Sequence, residues 1–321
     1  MKRIAAGLII AFVCVLTIRA QAPQPIPHDP PWAFQITDTQ FPAEQGPKQV
    51  PGSAKTYTPK EIDDLLNPPD WFPSEHPPAP EIVLHGHGDA LACGVCHLMN
   101  GLGHPESGLV AGFTQHYIEQ QIADFKNDAR KDMSVRMNLI AKALTDQELH
   151  EAAEWFSKLP STRWTEVKEA AIVPKTVVGP GRMRFLDPKG GMERSGNRII
   201  TLPQNADRAR ERDPHSGFVA YVPPGSIERG RRLATTGGNG KTIACTTCHG
   251  EGLRGLGNVP HLAGLHPIYV VRQIYLFKDG NRKGVDGQLM KKPIEHLTDS
   301  DIVSLAAYIG SLPAPGATSA R

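Results

Sequence analysis

Four of the five cysteines in this 321-residue chain fall in two pairs, Cys93-Gly-Val-Cys96 and Cys245-Thr-Thr-Cys248, and each pair is followed at once by a histidine, His97 or His249. Two residues between thiols put both sulfurs on one helical turn, where they reach the two vinyl groups of a porphyrin. The adjacent imidazole then offers a nitrogen to the iron. The pattern is that of covalent haem c attachment, so the sequence predicts two haems c bound through Cys93, Cys96, Cys245 and Cys248, with His97 and His249 on the irons. Other uses of paired cysteines fit less well. A zinc ribbon needs its second pair about 15 to 20 residues on, whereas these motifs start 152 positions apart and each carries its own histidine. A thioredoxin-type dithiol belongs in a βαβ context, which the flanking sequence lacks. Disulfides are the default in an oxidising compartment, but they do not explain a histidine directly after each pair.

The second motif sets a register. A shift of 152 aligns Ala111-Gly112 with Ala263-Gly264, Tyr117 with Tyr269, Gln121 with Gln273 and Phe125 with Phe277. A shift of 153 then aligns Met137 with Met290, Leu144-Thr145-Asp146 with Leu297-Thr298-Asp299, Trp155 with Tyr308, and Leu159-Pro160 with Leu312-Pro313. The chain therefore reads as one unit repeated. Tyr117, Gln121 and Phe125, like their partners, recur every four residues and predict one face of an amphipathic helix covering part of each haem. Thr145 with Glu148 and Thr298 with Asp301 read as N-terminal capping boxes of a final helix that stops at Leu-Pro. Trp155 and Tyr308 read as core packing in that helix.

The residue opposite each histidine decides the chemistry. Of seven methionines, Met1 begins the chain, Met99 follows His97 too closely, and Met183 and Met192 fall outside the repeats. Met137 and Met290 occupy matching positions in the loop between the covering and final helices. They are the expected thioether ligands, with Met133 a neighbouring competitor to Met137. His/Met ligation raises the potential and leaves no open iron, which favours a carrier over a catalyst. His85, His87, His104, His116, His261, His266 and His296 flank the motifs and are expected as solvated surface residues.

Met1-Lys2-Arg3, an apolar run from Ile4 to Ile18 and Arg19-Ala20-Gln21-Ala22 follow the order of a secretory signal, with cleavage expected after Ala20. Cys14 lies in that run and should leave with it. Loss of Lys2, Arg3 and Arg19 leaves 32 basic residues against 33 acidic ones, and four haem propionates would add further negative charge. Nothing here favours nucleic acid or an anionic membrane surface as a partner.

C-x-x-C-H-G-x-G, Asn258-Val-Pro260, Tyr269, Gln273, Phe277, Gly280-x-Arg282, Met290 and Leu297-Thr298-Asp299 together resemble the class I cytochromes c, and specifically the two-domain dihaem carriers of the cytochrome c-four type. The resemblance covers about 80 to 160 and 226 to 313. It implies an all-α fold of two cytochrome c domains in tandem, with His97, Met137, His249 and Met290 on the irons. The first copy departs at Leu98-Met99, where the second has Gly250-Glu251, and at Gly108, which replaces Pro260.

Outside the repeats, 15 of the 29 prolines fall between 21 and 80. That segment is expected to be a Pro-rich arm, with a helix start at Thr58-Pro59, wrapped over the first haem domain. Runs at Arg182–Leu186, Arg198–Leu202 and Gly217–Val222 predict a small β-containing insertion. The mixed-sign run Asp207–Asp213 reads as a solvated face. Gly237-Gly-Asn-Gly240-Lys241-Thr242 lacks the first glycine of a phosphate loop and is no nucleotide site. The expected organisation is a signal peptide at 1–20, an arm at 21–79, domain 1 at 80–160, an insertion at 161–225, domain 2 at 226–313 and a tail at 314–321.

The function expected is periplasmic electron transfer without a substrate of its own. Its redox partners would be a donor dehydrogenase or quinol-oxidising complex and an acceptor oxidase or cytochrome, with membrane association only through them. The alternatives are a haem subunit of a dehydrogenase and a dihaem peroxidase or sulfur-compound oxidase. The last needs an open or Cys-ligated iron, and no spare cysteine survives export.

Overall fold

The computed structural model describes residues 29–315. The expected signal with Cys14, residues 21–28 of the arm and the last six residues of the tail lie outside the described residues.

Helices begin where the sequence supplies caps. The first part of the chain runs α1 (Pro59–Ile62), α2 (Glu81–Leu84), α3 (Gly94–His97), α4 (Gln115–Lys126), α5 (Arg136–Ala143) and α6 (Asp146–Lys158). Thr58 and Thr145 form complete capping boxes with Glu61 and Glu148, and Thr114 accepts the Tyr117 N–H to start α4. Strands follow: β1 (Thr165–Glu169), β2 (Ile172–Pro174), β3 (Thr176–Val178), β4 (Arg184–Leu186), β5 (Met192–Arg194) and β6 (Ile200–Pro203). A short α7 (Ala206–Arg210) precedes β7 (Phe218–Val222). The last part contains α8 (Ser226–Thr236), α9 (Thr246–His249), α10 (Pro267–Lys278), α11 (Lys291–Ile294) and α12 (Asp299–Ser311). Thr298 and Asp301 complete the capping box of α12. Both final helices end one residue short of Leu-Pro, because proline cannot continue the backbone ladder.

β7 lies in the middle of a three-stranded sheet, parallel to β1 and antiparallel to β6, while β2 pairs with β5 and β3 with β4. The expected strand at Arg182 starts two residues later, because Pro180–Arg182 forms a 3-10 turn with Arg182 in the left-handed region. The sequence reading missed β1: its Thr-Glu-Val-Lys-Glu run is mostly polar and shows its role only once β7 pairs with it. The expected solvated face at Asp207–Asp213 is also corrected. Asp213 is buried and pairs with the half-buried Arg208, and Arg212 donates to Ile62 O and Val95 O, because this stretch packs against the first haem motif.

One continuous apolar core runs through both repeats, with a smaller cluster of Val50, Ile62, Trp71 and Phe72 beside it. Ala33 and Phe34 belong to the main core. Phe34 meets Tyr275 of α10 edge-on at 6.3 Å, so the proline-rich segment reaches the second repeat as well as the first. No helix among the described residues is long and apolar enough to cross a membrane.

Candidate haem sites

Each motif forms a one-turn helix, with Cys93 or Cys245 at its N-cap in right-handed helical conformation. All four thiols are free. Burial pushes the Cys93 thiol up to about 12 and the Cys245 thiol up to about 11, so both stay protonated at neutral pH. No group of three or more His, Cys, Asp or Glu gathers as a metal site among the described residues.

The histidines are held alike. His97 Nδ1 lies 3.1 Å from Gly108 O, and His249 Nδ1 lies 2.8 Å from Pro260 O, in each case the carbonyl eleven residues on. A carbonyl only accepts, so the proton sits on Nδ1 and the Nε2 lone pair is left for a metal. Burial lowers the basicity of both imidazoles, against the opposing pull of their carbonyls. A neutral imidazole with a fixed tautomer and two free thiols on one turn is the donor set that covalent haem c requires, and the residues fit it twice.

The departures in the first motif leave this geometry intact. Leu98 takes φ 59°, ψ 165°, matching Gly250 at 75°, 171°, a region ordinarily open only to glycine and costing about 1–3 kcal/mol for other residues. The turn it serves is the same, with Gly103 and Gly255 N–H groups donating to His97 O and His249 O. Gly108 stands where a Cβ would come within 2.7 Å of the Tyr269 ring, so the second repeat, packed against the loop, excludes a side chain there.

Met137 is the second residue of α5, its N–H held by Asp132 Oδ2 at 2.7 Å, and Met290 closes the 3-10 turn Asp286–Met290. Both thus stand in helical turns, where the sequence reading expected open loop. Both are half-buried against the core, as is Met133. Met99 is buried, its sulfur against Gly94.

The surface expectation fails for three histidines. His261 and His266 are 4% and 1% exposed, and His104 is half-buried with its Nδ1 unpartnered. All three lie near the junction of the repeats. His261 stacks on Phe113 at 4.4 Å, His266 bridges Thr165 Oγ1 and Leu102 O, and His104 meets Ser107 Oγ. Sequence neighbours could not reveal burial created by the other repeat.

The same junction holds a pair of arginines of which the sequence reading named Arg282 alone. Arg130 and Arg282 match under the shift of 152, and their backbones pair as an antiparallel bridge. Arg130 donates to Gln121, Gln273 and the Tyr269 hydroxyl. Arg282 donates to Gln273, Gln121 and the Tyr117 hydroxyl. The register itself was the signal that could have found them.

The family model for cytochrome c matches residues 227–313. Cytochrome c-554(548) of Halomonas halodenitrificans is 37% identical over 75 residues, which span 90% of that protein and 23% of this chain. The chain belongs to the cytochrome c family. Longer matches cover 70% and 71% of this cytochrome. A protein named thiosulfate dehydrogenase electron acceptor from Thiomonas intermedia is 27% identical, covering 70% of this chain and 80% of the relative. Cytochrome c4 of Stutzerimonas stutzeri is 23% identical, covering 71% and 87%. As a dihaem class I cytochrome, the protein carries two covalently attached haems c and transfers electrons through them.

Proposed function

We propose that this cytochrome is a periplasmic electron carrier built from two tandem haem domains, 80–160 and 226–313, exported by the signal at 1–20. Cys93 with Cys96 and Cys245 with Cys248 form the thioether bonds. His97 and His249 would bind iron through Nε2, and Met137 and Met290 would supply the thioether ligands. Each haem supplies a one-electron couple at its iron, with a potential raised by thioether ligation. The chain's own work is to hold the imidazole tautomer through Gly108 O and Pro260 O and to keep water from both His rings. The observation that carries the reading is that this His-to-carbonyl arrangement occurs twice at the same eleven-residue spacing.

The donor is a dehydrogenase and the acceptor an oxidase or a second cytochrome. A relative named as the electron acceptor of a dehydrogenase supports the first assignment. The segments outside the repeats, about 29–79 and 161–225, give this carrier surfaces by which it would dock to such partners.

A redox titration of residues 21–321, matured with haem, tests the proposal. Two haems per chain, both at the high potential of His/Met iron, are expected. One low-potential or peroxide-reactive haem would overturn the assignment of Met137 or Met290.

A further inference from the structure

The two attachment motifs differ in what lies over them. In the first, Gly94 and Val95, the residues between the cysteines, are both buried. Pro69, Trp71, Arg212 and Pro214 close over Gly94 and Leu98, and Arg212 donates to Val95 O. A Cβ on Gly94 would stand 3.4 Å from the Pro68 ring. These covering residues come from 29–79 and 161–225, outside the repeats. In the second motif the matching Thr246 is half-buried and Thr247 is exposed, and Cys248 is exposed where Cys96 is half-buried.

The open surface about the second motif is apolar. Ile243, Leu256, Val285 and Leu289 are 49%, 63%, 84% and 76% exposed. Ile243 stands just before Cys245, Leu256 in the turn after His249, and Val285 and Leu289 in the stretch that ends at Met290. The Thr242 hydroxyl donates to Pro293 O, which ties the chain before the motif to the chain after Met290. In the first repeat the matching residues are Leu91, His104, Asp132 and Arg136. There His104 is half-buried, and the charges of Asp132 and Arg136 act on Arg182 of the insertion. Exposed apolar clusters with a polar rim mark protein contact sites. The first repeat shows that this face accepts polypeptide, because the chain's own segments are seated on it.

Resting on the haem reading above, we infer that the second motif is the single entry for electrons. A redox protein whose cofactor edge is apolar and rimmed by carboxylates docks on Ile243, Leu256, Val285 and Leu289, and the first haem exchanges electrons only through the second. The rim chemistry follows from charge. Arg254, Lys283 and Lys291 are exposed beside the apolar residues and form no ion pair among the described residues. Of the neighbouring carboxylates, Asp286 accepts from Gln120 and Glu295 pairs with Lys292, which leaves Glu251. Local positive charge on a chain with little net charge of its own orients an acidic partner toward this face. At each crossing the partner's cofactor loses one electron, one iron(III) of this chain becomes iron(II), and no bond or proton changes hands. The inserted segments thus close one entry and leave two haems to fill and empty through the other.

The test follows, by stopped flow, reduction of the full-length haem-loaded protein by fully reduced flavodoxin, an acidic flavoprotein with an exposed flavin edge. Concentrations are kept where the rate rises linearly with flavodoxin. A pyridine haem assay that finds fewer than two haems in the unmutated protein would fault the haem reading and not the entry. With two haems attached, Val285→Glu is expected to slow reduction about tenfold over the whole absorbance change, by setting like charge against the partner's rim. Two entries would instead keep the original rate in half of the change, or slow the whole by about twofold or less, and either result overturns the single entry. Leu186→Glu, a like change at an exposed residue of the insertion, should leave the rate as it was. Equal slowing there would overturn the assignment to the second motif. Lys283→Gln should slow the reaction by a smaller factor, and a faster rate would overturn carboxylates as the partner's rim. If Val285→Glu attaches fewer than two haems, Leu256→Glu takes its place with the same expected and overturning results.

Discussion

The two repeats hold their haem motifs in the same way but are braced by different means. In the second, α8 lies along α12, and Gly230 lets the two backbones meet, since a Cβ there would stand 1.9 Å from Ser304 O. The matching stretch of the first repeat contains Pro77, Pro78 and Pro80, and only one turn of helix, α2, survives. Proline removes ladder hydrogen bonds and clashes with the preceding turn, so a long helix cannot form there. Other parts of the chain complete this repeat. Pro77 O accepts from Trp155 Nε1, Glu211 O accepts from Trp71 Nε1, and Gly103 O accepts from Trp164 Nε1. Arg212 and Asn100 stitch the motif to the insertion. One haem-holding unit can thus stand on a local helix pair or on distant segments, provided its core is closed to water.

The comparison breaks most severely where one residue serves both halves. Arg272 of α10 pairs with Glu106 at 2.6 Å and donates to Ala33 O and Pro105 O. Arg272→Met strands a buried carboxylate and is expected to cost about 3–5 kcal/mol. Calorimetry should show both repeats less stable. Burial already raises the Glu106 pKa against the pull of Arg272. The variant should therefore recover stability as pH falls and the folded carboxyl takes up its proton, and recovery on raising pH instead would refute this account.

Next come substitutions that separate the halves. Trp71→Ala should cost about 3–5 kcal/mol by opening the small cluster beside the first motif, and Gly230→Ala about 3 kcal/mol by forcing α8 from α12. Followed by limited proteolysis, the first is expected to expose the 80–160 region and the second the 226–313 region. Identical cleavage in both variants would mean that the braces are not independent.

Acid should loosen the junction before either haem unit. Burial depresses the pKa of both His261 and His266 to about 4, against an unfolded value near 6.5. Each is neutral in the fold and binds a proton when exposed, so its contribution is complete above pH 6.5 and is lost as pH falls towards 4. The loss is on the order of 3 kcal/mol for each, and hydrogen exchange at Leu102 and Thr165 should rise across that window. Flat exchange would show that these rings stay buried when charged.

The smallest expected effect is one of likeness. Thr145→Ala and Thr298→Ala remove equivalent caps and should each cost about 1 kcal/mol in denaturant unfolding. A large inequality would show that α6 and α12 depend on their different neighbours more than on their own first turns.

What the sequence determined by itself was local and repeated: the attachment motifs, the four-residue stripe of α4 and α10, the capping boxes and the Leu-Pro stops. Those features rest on chemistry within a few residues of chain, so spacing alone reveals them, and the repeat doubles each signal. Tertiary structure decided what depends on residues far apart in sequence. It placed Gly108 under Tyr269, buried His261 and His266, turned Arg212 and Asp213 inward, made β1 a strand beside β7, and brought Arg130 to face Arg282. Burial and charge compensation belong to the neighbours that folding supplies, and a single stretch of sequence does not contain them.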